Sequence, residues 1–229
     1  MKYLLWDIDG TLLVTGGIGI KAISETVKQR FNKDDFEFGE SMAGRTDSYI
    51  IKKIVKHYKS KYTAADAAGF FITYNQIFSK LLKSSNGNLL TNVKSTLEYL
   101  ETGKDKYTST LLTGNCKLAG IEKIKHFGIN QHFNIELSTF GELSEDRELL
   151  AKAAYQKISM HDPKITPEDI IVIGDTPFDV ACANAIGARS LIILEEKFHS
   201  LEAIKAENPW KIIEKLPNNP SDFINLIEG

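Results

Sequence analysis

The run Asp169-Ile170-Ile171-Val172-Ile173-Gly174-Asp175 constrains the fold of this chain more than any other segment. Its four central residues are all β-branched, stiff at χ1 and suited to extended backbone. No polar residue alternates with them, so the segment has no solvent face. It reads as a strand buried on both sides, as in the interior of a parallel sheet. Parallel neighbours need long crossover connections, usually helices. Further short apolar strands are expected at residues 3–6, 108–112, 134–137 and 190–194. Helical segments over residues 92–101, 115–127, 144–158 and 176–186 lie between or after them. Strand and helix alternating in this way predict an α/β fold with a doubly wound, mostly parallel sheet.

At 229 residues the chain has about one and a half domains of length. The surplus lies between the first strand and Leu90. Residues 19–31 and 47–58 read as helices. Residues 64–82 carry Ala67, Phe71, Tyr74, Phe78 and Leu81 at helical spacing. No strand is expected there. The expected organisation is a core of residues 1–14 and 88–229, with a helical cap of residues 15–87 inserted after the first strand. Gly16, Gly17 and Gly19 suit a hinge, and residues 84–88 suit a return linker.

Composition narrows the partners. A net charge of −2 gives no reason to expect a nucleic-acid surface. No run of 18 apolar residues exists, so no membrane helix is expected. Two cysteines cannot build a disulfide framework, and reduced thiols in the cytoplasm are the simpler reading. The five histidines show no metal-ligand spacing.

Ligands of open α/β sheets bind beyond the carboxyl ends of the strands, and four loops there carry chemistry. Asp7-Ile8-Asp9-Gly10-Thr11-Leu12 puts two carboxylates, two residues apart, at a strand end. Thr113-Gly114-Asn115 offers a hydroxyl and the N–H groups of a helix start to a phosphate oxygen, although helix capping explains these residues as well. Ser144 fits an N-cap, which puts Arg147 in the first helical turn, where a cation opposes the helix dipole unless an anion is near. In Gly174-Asp175-Thr176-Pro177-Phe178-Asp179, Thr176 reads as N-cap and Pro177 as the first helical residue. Asp7, Asp9, Asp175 and Asp179 together would crowd up to four carboxylates into one pocket and raise one another's pKa values. A hard divalent cation removes that conflict, and oxygen-only ligands suit Mg²⁺.

The order and spacing of these motifs resemble the haloacid dehalogenase superfamily of phosphohydrolases, over the whole chain. The helical insertion is similar to the cap of its phosphoglycolate phosphatase-like and β-phosphoglucomutase-like branch. The resemblance implies that Asp7 is a nucleophile forming an aspartyl-phosphate, and that Asp9 acts as acid and then base. It implies Mg²⁺ held by Asp7, Asp175, the Asp9 backbone carbonyl and, directly or through water, Asp179. Thr113 and Asn115 would hold the phosphoryl group together with a basic residue. Family members usually place a lysine there; here Arg147 is best placed, with Lys152, five residues further into the helix, as the alternative. Asp9 favours phosphoryl transfer over dehalogenation, since a halide needs no acid to leave. In the cap segment Met42-Ala43-Gly44-Arg45-Thr46-Asp47, the resemblance implies that Arg45 faces a small phosphorylated metabolite, while the residues alone equally fit a helix start capped by Thr46 or Asp47 with Arg45 in solvent. The expected activity is a Mg²⁺-dependent phosphatase. The alternatives are a phosphosugar mutase and, on different grounds, an aspartate-phosphorylated signalling module with little turnover.

Overall fold

The computed structural model describes residues 1–196 and 198–229. Its strands are β1 (Lys2–Trp6), β2 (Leu13–Val14), β3 (Asn88–Leu89), β4 (Tyr107–Thr113), β5 (Thr139–Phe140), β6 (Ile170–Gly174), β7 (Arg189–Ile193) and β8 (Lys211–Ile213). The helices are α1 (Ile18–Phe31), α2 (Asp47–Tyr58), α3 (Ala64–Leu82), α4 (Val93–Glu101), α5 (Lys117–His126), α6 (Arg147–His161), α7 (Pro177–Ala185), α8 (Leu201–Ala206) and α9 (Pro220–Glu228). Six strands form one sheet in the order β5-β4-β1-β6-β7-β8, every pair parallel. The β-branched run is β6, and all five of its residues are buried.

Side chains alternate across each strand, and the core divides accordingly. Leu4 and Trp6 of β1 pack with Val93, Leu97, Phe223 and Ile227 of α4 and α9 on one face. Tyr3 and Leu5 pack with Leu150, Ala154 and Ile158 of α6 and Cys182 of α7 on the other. Trp6 is fully buried, and its Nε1 donates to Ser109 Oγ at 3.2 Å. β1 lies between β4 and β6, with Trp6 level with Leu111 and Ile173. The loops after these three strands therefore open side by side.

The helices α1, α2 and α3 form a separate cluster over that end of the sheet. Cys116 and Ala119, at the start of α5, complete its apolar core. The cap is closed onto the sheet: Asp47 N–H donates to the Gly114 carbonyl at 2.7 Å and Ser48 N–H to Gly141 at 3.3 Å.

Four expectations need correction. Residues 134–137 are a turn, because the Asn134 side chain accepts the N–H groups of Glu136 and Leu137; the strand begins only at Thr139. Ser144 is not the cap of α6. It accepts the Asp146 N–H, and Asp146 caps the helix by accepting from Glu148, so Arg147 is the first helical residue. The buried stripe of α3 runs through Phe70, Tyr74, Phe78 and Leu82, with Ala67, Phe71 and Leu81 only partly covered. Finally, two short strands occur where none was expected. β2 and β3 pair antiparallel where the chain leaves and re-enters the core, beside Gly16 and Gly17, both at positive φ.

Candidate active site

The loop after β1 carries the first two carboxylates. Asp7 is 5 % exposed, whereas the Asp9 side chain is 42 % exposed. The chain turns sharply at Gly10, whose φ of +82° excludes most side chains. A Cβ there would stand 2.4 Å from Asp175 Oδ2, so the missing side chain also leaves room for that carboxylate.

The loop after β6 carries the other two acids. Thr176 caps α7, with Pro177 at its first position. Asp179 Oδ2 accepts from the N–H groups of Asp175 and Thr176, at 3.2 and 3.0 Å, and from Thr176 Oγ1 at 2.7 Å. Its Oδ1 accepts from Arg147 Nη2. Both carboxylate oxygens of Asp179 are thus hydrogen-bonded. Asp175 Oδ1 accepts from Thr11 Oγ1 at 2.9 Å.

Carboxylate oxygens of Asp7, Asp175 and Asp179 lie within 4.8 Å of one another, and all three residues are buried. Burial pushes Asp7 up to about 6, with Asp179 adding to the rise and Arg147 opposing it. Burial, then the charges of Asp179 and Asp7, raises Asp175 well above the usual carboxylate range. Asp7 Oδ1 and Asp175 Oδ2 are buried without hydrogen-bond partners. Buried acceptors of this kind are costly unless something satisfies them. Two such oxygens in one acidic cluster fit a hard cation, so the residues suit Mg²⁺.

Arg147 supplies the cluster's positive charge. It is 6 % exposed, with Nη1 3.6 Å from Asp7 Oδ2. Its Nε is buried and unpartnered, a donor still available. Lys152 is exposed, so between the two basic candidates the structure places only Arg147 at the cluster.

Thr113 and Asn115 are buried at the end of β4. Asn115 Nδ2 donates to Thr113 Oγ1 at 2.9 Å and to Asp9 Oδ2 at 2.8 Å. The N–H groups at the start of α5 are otherwise committed. Cys116 N–H donates to Asp47 Oδ2 at 2.7 Å and Lys117 N–H to Glu142 at 2.6 Å. Acidic side chains from the cap and from the loop after β5 occupy the helix start that the sequence offers to a phosphate. The Cys116 thiol is buried, and burial raises its pKa, which makes it an inert packing group.

Two residues at the site escape sequence reasoning. Asp47 reaches across from the cap to Cys116. Lys123 is 3 % exposed and donates to Asp9 Oδ2 and Asn115 Oδ1, both at 2.6 Å. The available signal was positional: Lys123 shares the buried face of α5 with Ala119, Gly120 and Ile124. Lysine is almost never fully buried unless paired.

A cavity of about 730 Å³ lies between cap and sheet. Asp7, Asp9, Asn115, Lys123, Arg147 and Asp175 form its floor, and Ile20, Ile23, Met42, Ile50 and Tyr74 are among its cap walls. Arg45 also lines it. Its guanidinium lies 4.7 Å from the ring centres of both Tyr49 and Phe178, and Nη2 donates to Glu40 Oε2 at 2.6 Å.

The sequence model of the haloacid dehalogenase-like hydrolase family matches residues 4–193. None of the curated proteins matches. Among solved structures, a HAD hydrolase, family IA, variant 3, from Entamoeba histolytica is 18 % identical with a TM-score of 0.73, each chain covered completely. A predicted phosphoglycolate phosphatase from Haemophilus somnus is also 18 % identical with a TM-score of 0.72, over 99 % of this chain and 97 % of that one. CbbY from Rhodobacter sphaeroides, in complex with phosphate, is 14 % identical with a TM-score of 0.71, over 94 % of each chain. At these identities the likeness speaks for the fold.

Proposed function

The chain belongs to the haloacid dehalogenase-like hydrolases, and from that premise we propose that it is a Mg²⁺-dependent phosphatase that cleaves a small phosphomonoester through an aspartyl-phosphate. The observation that carries this reading is the buried cluster of Asp7, Asp175 and Asp179, with unpartnered oxygens on the first two and Arg147 beside it. Asp7 and Asp175 would hold Mg²⁺, with the Asp9 backbone carbonyl and with Asp179 directly or through water. The ion supplies positive charge that offsets the phosphoryl group and lets its carboxylate ligands stay ionised together.

The chain's own groups do the rest. A carboxylate oxygen of Asp7 attacks phosphorus, and the bond from phosphorus to the ester oxygen breaks. Asp9, open to the cavity, gives its proton to the departing alkoxide. It then accepts a proton from a water whose oxygen attacks the aspartyl-phosphate, releasing inorganic phosphate and restoring Asp7. Dividing one displacement into two in this way is nucleophilic catalysis. Thr113, Asn115 and Arg147 orient the phosphoryl group and balance its charge. Arg45 forms a wall of the leaving-group pocket, and the docked cap covers the site.

Turnover of p-nitrophenyl phosphate with Mg²⁺ tests the reading. Loss of activity on chelation and in Asp7→Asn, with the fold retained, is the expected result. Undiminished activity in either experiment contradicts it. With a hexose phosphate, released inorganic phosphate rather than an isomerised sugar phosphate separates the phosphatase from the mutase.

A further inference from the structure

Among the described residues, Lys123 is the one buried cation at the site that the proposed reaction leaves without a task. Its ammonium donates to Asp9 Oδ2 and to Asn115 Oδ1, both at 2.6 Å, and stands 5.5 Å from the centre of the Phe78 ring on cap helix α3. Asn115 Nδ2 donates to the same Asp9 oxygen at 2.8 Å. Two donors therefore converge on Oδ2. Among the described residues no hydrogen bond is made to Oδ1, and the Asp9 side chain is 42 % exposed towards the cavity. A carboxyl clamped at one oxygen has its plane and reach fixed, and presents the other oxygen in a single direction. The clamp serves both halves of the cycle. With its proton on Oδ1, Asp9 still accepts at Oδ2 through the carbonyl lone pairs. The loop around Asp9 is buried at Ile8, Gly10 and Thr11, but the half-exposed Asp9 side chain faces open space, where a free rotamer would otherwise sweep several directions.

We propose that Lys123 is a positioning residue that aims the Asp9 carboxyl at the leaving-group oxygen, and that through Phe78 its own placement depends on the closed cap. The inference rests on Asp9 acting as the acid and base. It predicts a dependence on the leaving group. p-Nitrophenolate departs without a proton, whereas a benzyl alkoxide needs one. The ratio kcat/KM covers only the steps through the first phosphoryl transfer, so the later use of Asp9 as a base does not enter it.

The experiment compares kcat/KM for p-nitrophenyl phosphate and benzyl phosphate in the full chain with Mg²⁺, in the parent, Lys123→Met and Lys123→Gln. Methionine keeps the apolar stem against Phe78 without a donor, and glutamine keeps one donor. We expect Lys123→Met to lose about 100-fold on benzyl phosphate, within the usual range of acid–base contributions, and less than about tenfold on p-nitrophenyl phosphate. Lys123→Gln should lie between parent and Lys123→Met on benzyl phosphate; should the methionine variant not fold, the glutamine variant carries the same test with a smaller split. Equal losses on both esters, or none on either, overturn the assignment and leave Lys123 a structural ion pair. No turnover of either ester by the parent overturns the phosphatase reading, and the inference with it.

Discussion

Arg147 begins α6, where its charge opposes the helix dipole. What favours it there is the pair of carboxylates it touches, Asp179 and Asp7. Removing one partner of a buried ion pair costs about 3–5 kcal/mol, because the other charge is left uncompensated. Arg147→Met should therefore lose both stability and activity, the latter by roughly 10²–10³-fold. A melting curve and an ester assay on one preparation check this. Asp7 gives a second prediction. Its folded pKa, about 6, lies above the ordinary 3.8, so the folded chain holds the proton more tightly than the unfolded one. Stability without metal then falls as pH rises from about 4 to about 6 and stays low above that. Asp7→Asn removes this penalty. Denaturant melts in EDTA should find the variant more stable at pH 7 by about 1–3 kcal/mol, with the gap closing below pH 4; a parent that is the more stable at pH 7 would contradict this. Asp7, Asp9 and Asp175 were legible in the sequence because each follows a strand beside a turn or cap signal, and Asp179 because it falls in the first turn of a capped helix. Lys123 was not, since its partners Asp9 and Asn115 are brought to it by the sheet.

At the scale of elements, the long pieces were legible and the short ones were not. The helix α3 was expected over the residues it occupies, because a period of 3.6 repeats over five turns. Only its buried face was displaced, since α1, α2 and the start of α5 share the cover. The strands β2, β3 and β5 have two residues each, too few for any period to register. In residues 134–137 two backbone hydrogen bonds accepted by the Asn134 side chain override a weak apolar pattern. Cap and core meet closely at Gly114, where a Cβ would lie 2.2 Å from the Arg45 carbonyl oxygen. Gly114→Ala should hold the cap off the sheet. We expect kcat/KM to fall about 10–100-fold, with the far-UV spectrum unchanged and the melting temperature little affected. Parent-like kinetics would mean that the docked cap is not required.

At the scale of the whole molecule, one α/β core is interrupted after its first strand, and the interruption closes over the strand ends. The topology gathers carboxylates from the loops after β1 and β6, which are 168 positions apart when counted from Asp7 to Asp175, into a cluster of 4.8 Å. No described helix is long and apolar enough to cross a membrane. The cavity between cap and sheet, apolar on much of its cap side and charged on its floor, would suit the proposed small ester with its phosphate pointing at the sheet. The central claim is that Asp7 carries the phosphoryl group. Asp9→Asn removes the base that discharges the intermediate, while p-nitrophenolate still leaves p-nitrophenyl phosphate without a proton. Mass spectrometry of Asp9→Asn, quenched in acid after incubation with Mg²⁺ and p-nitrophenyl phosphate, should find one phosphoryl group on the peptide bearing Asp7. An unmodified Asp7 peptide, or a phosphoryl group on any other residue, would contradict the account.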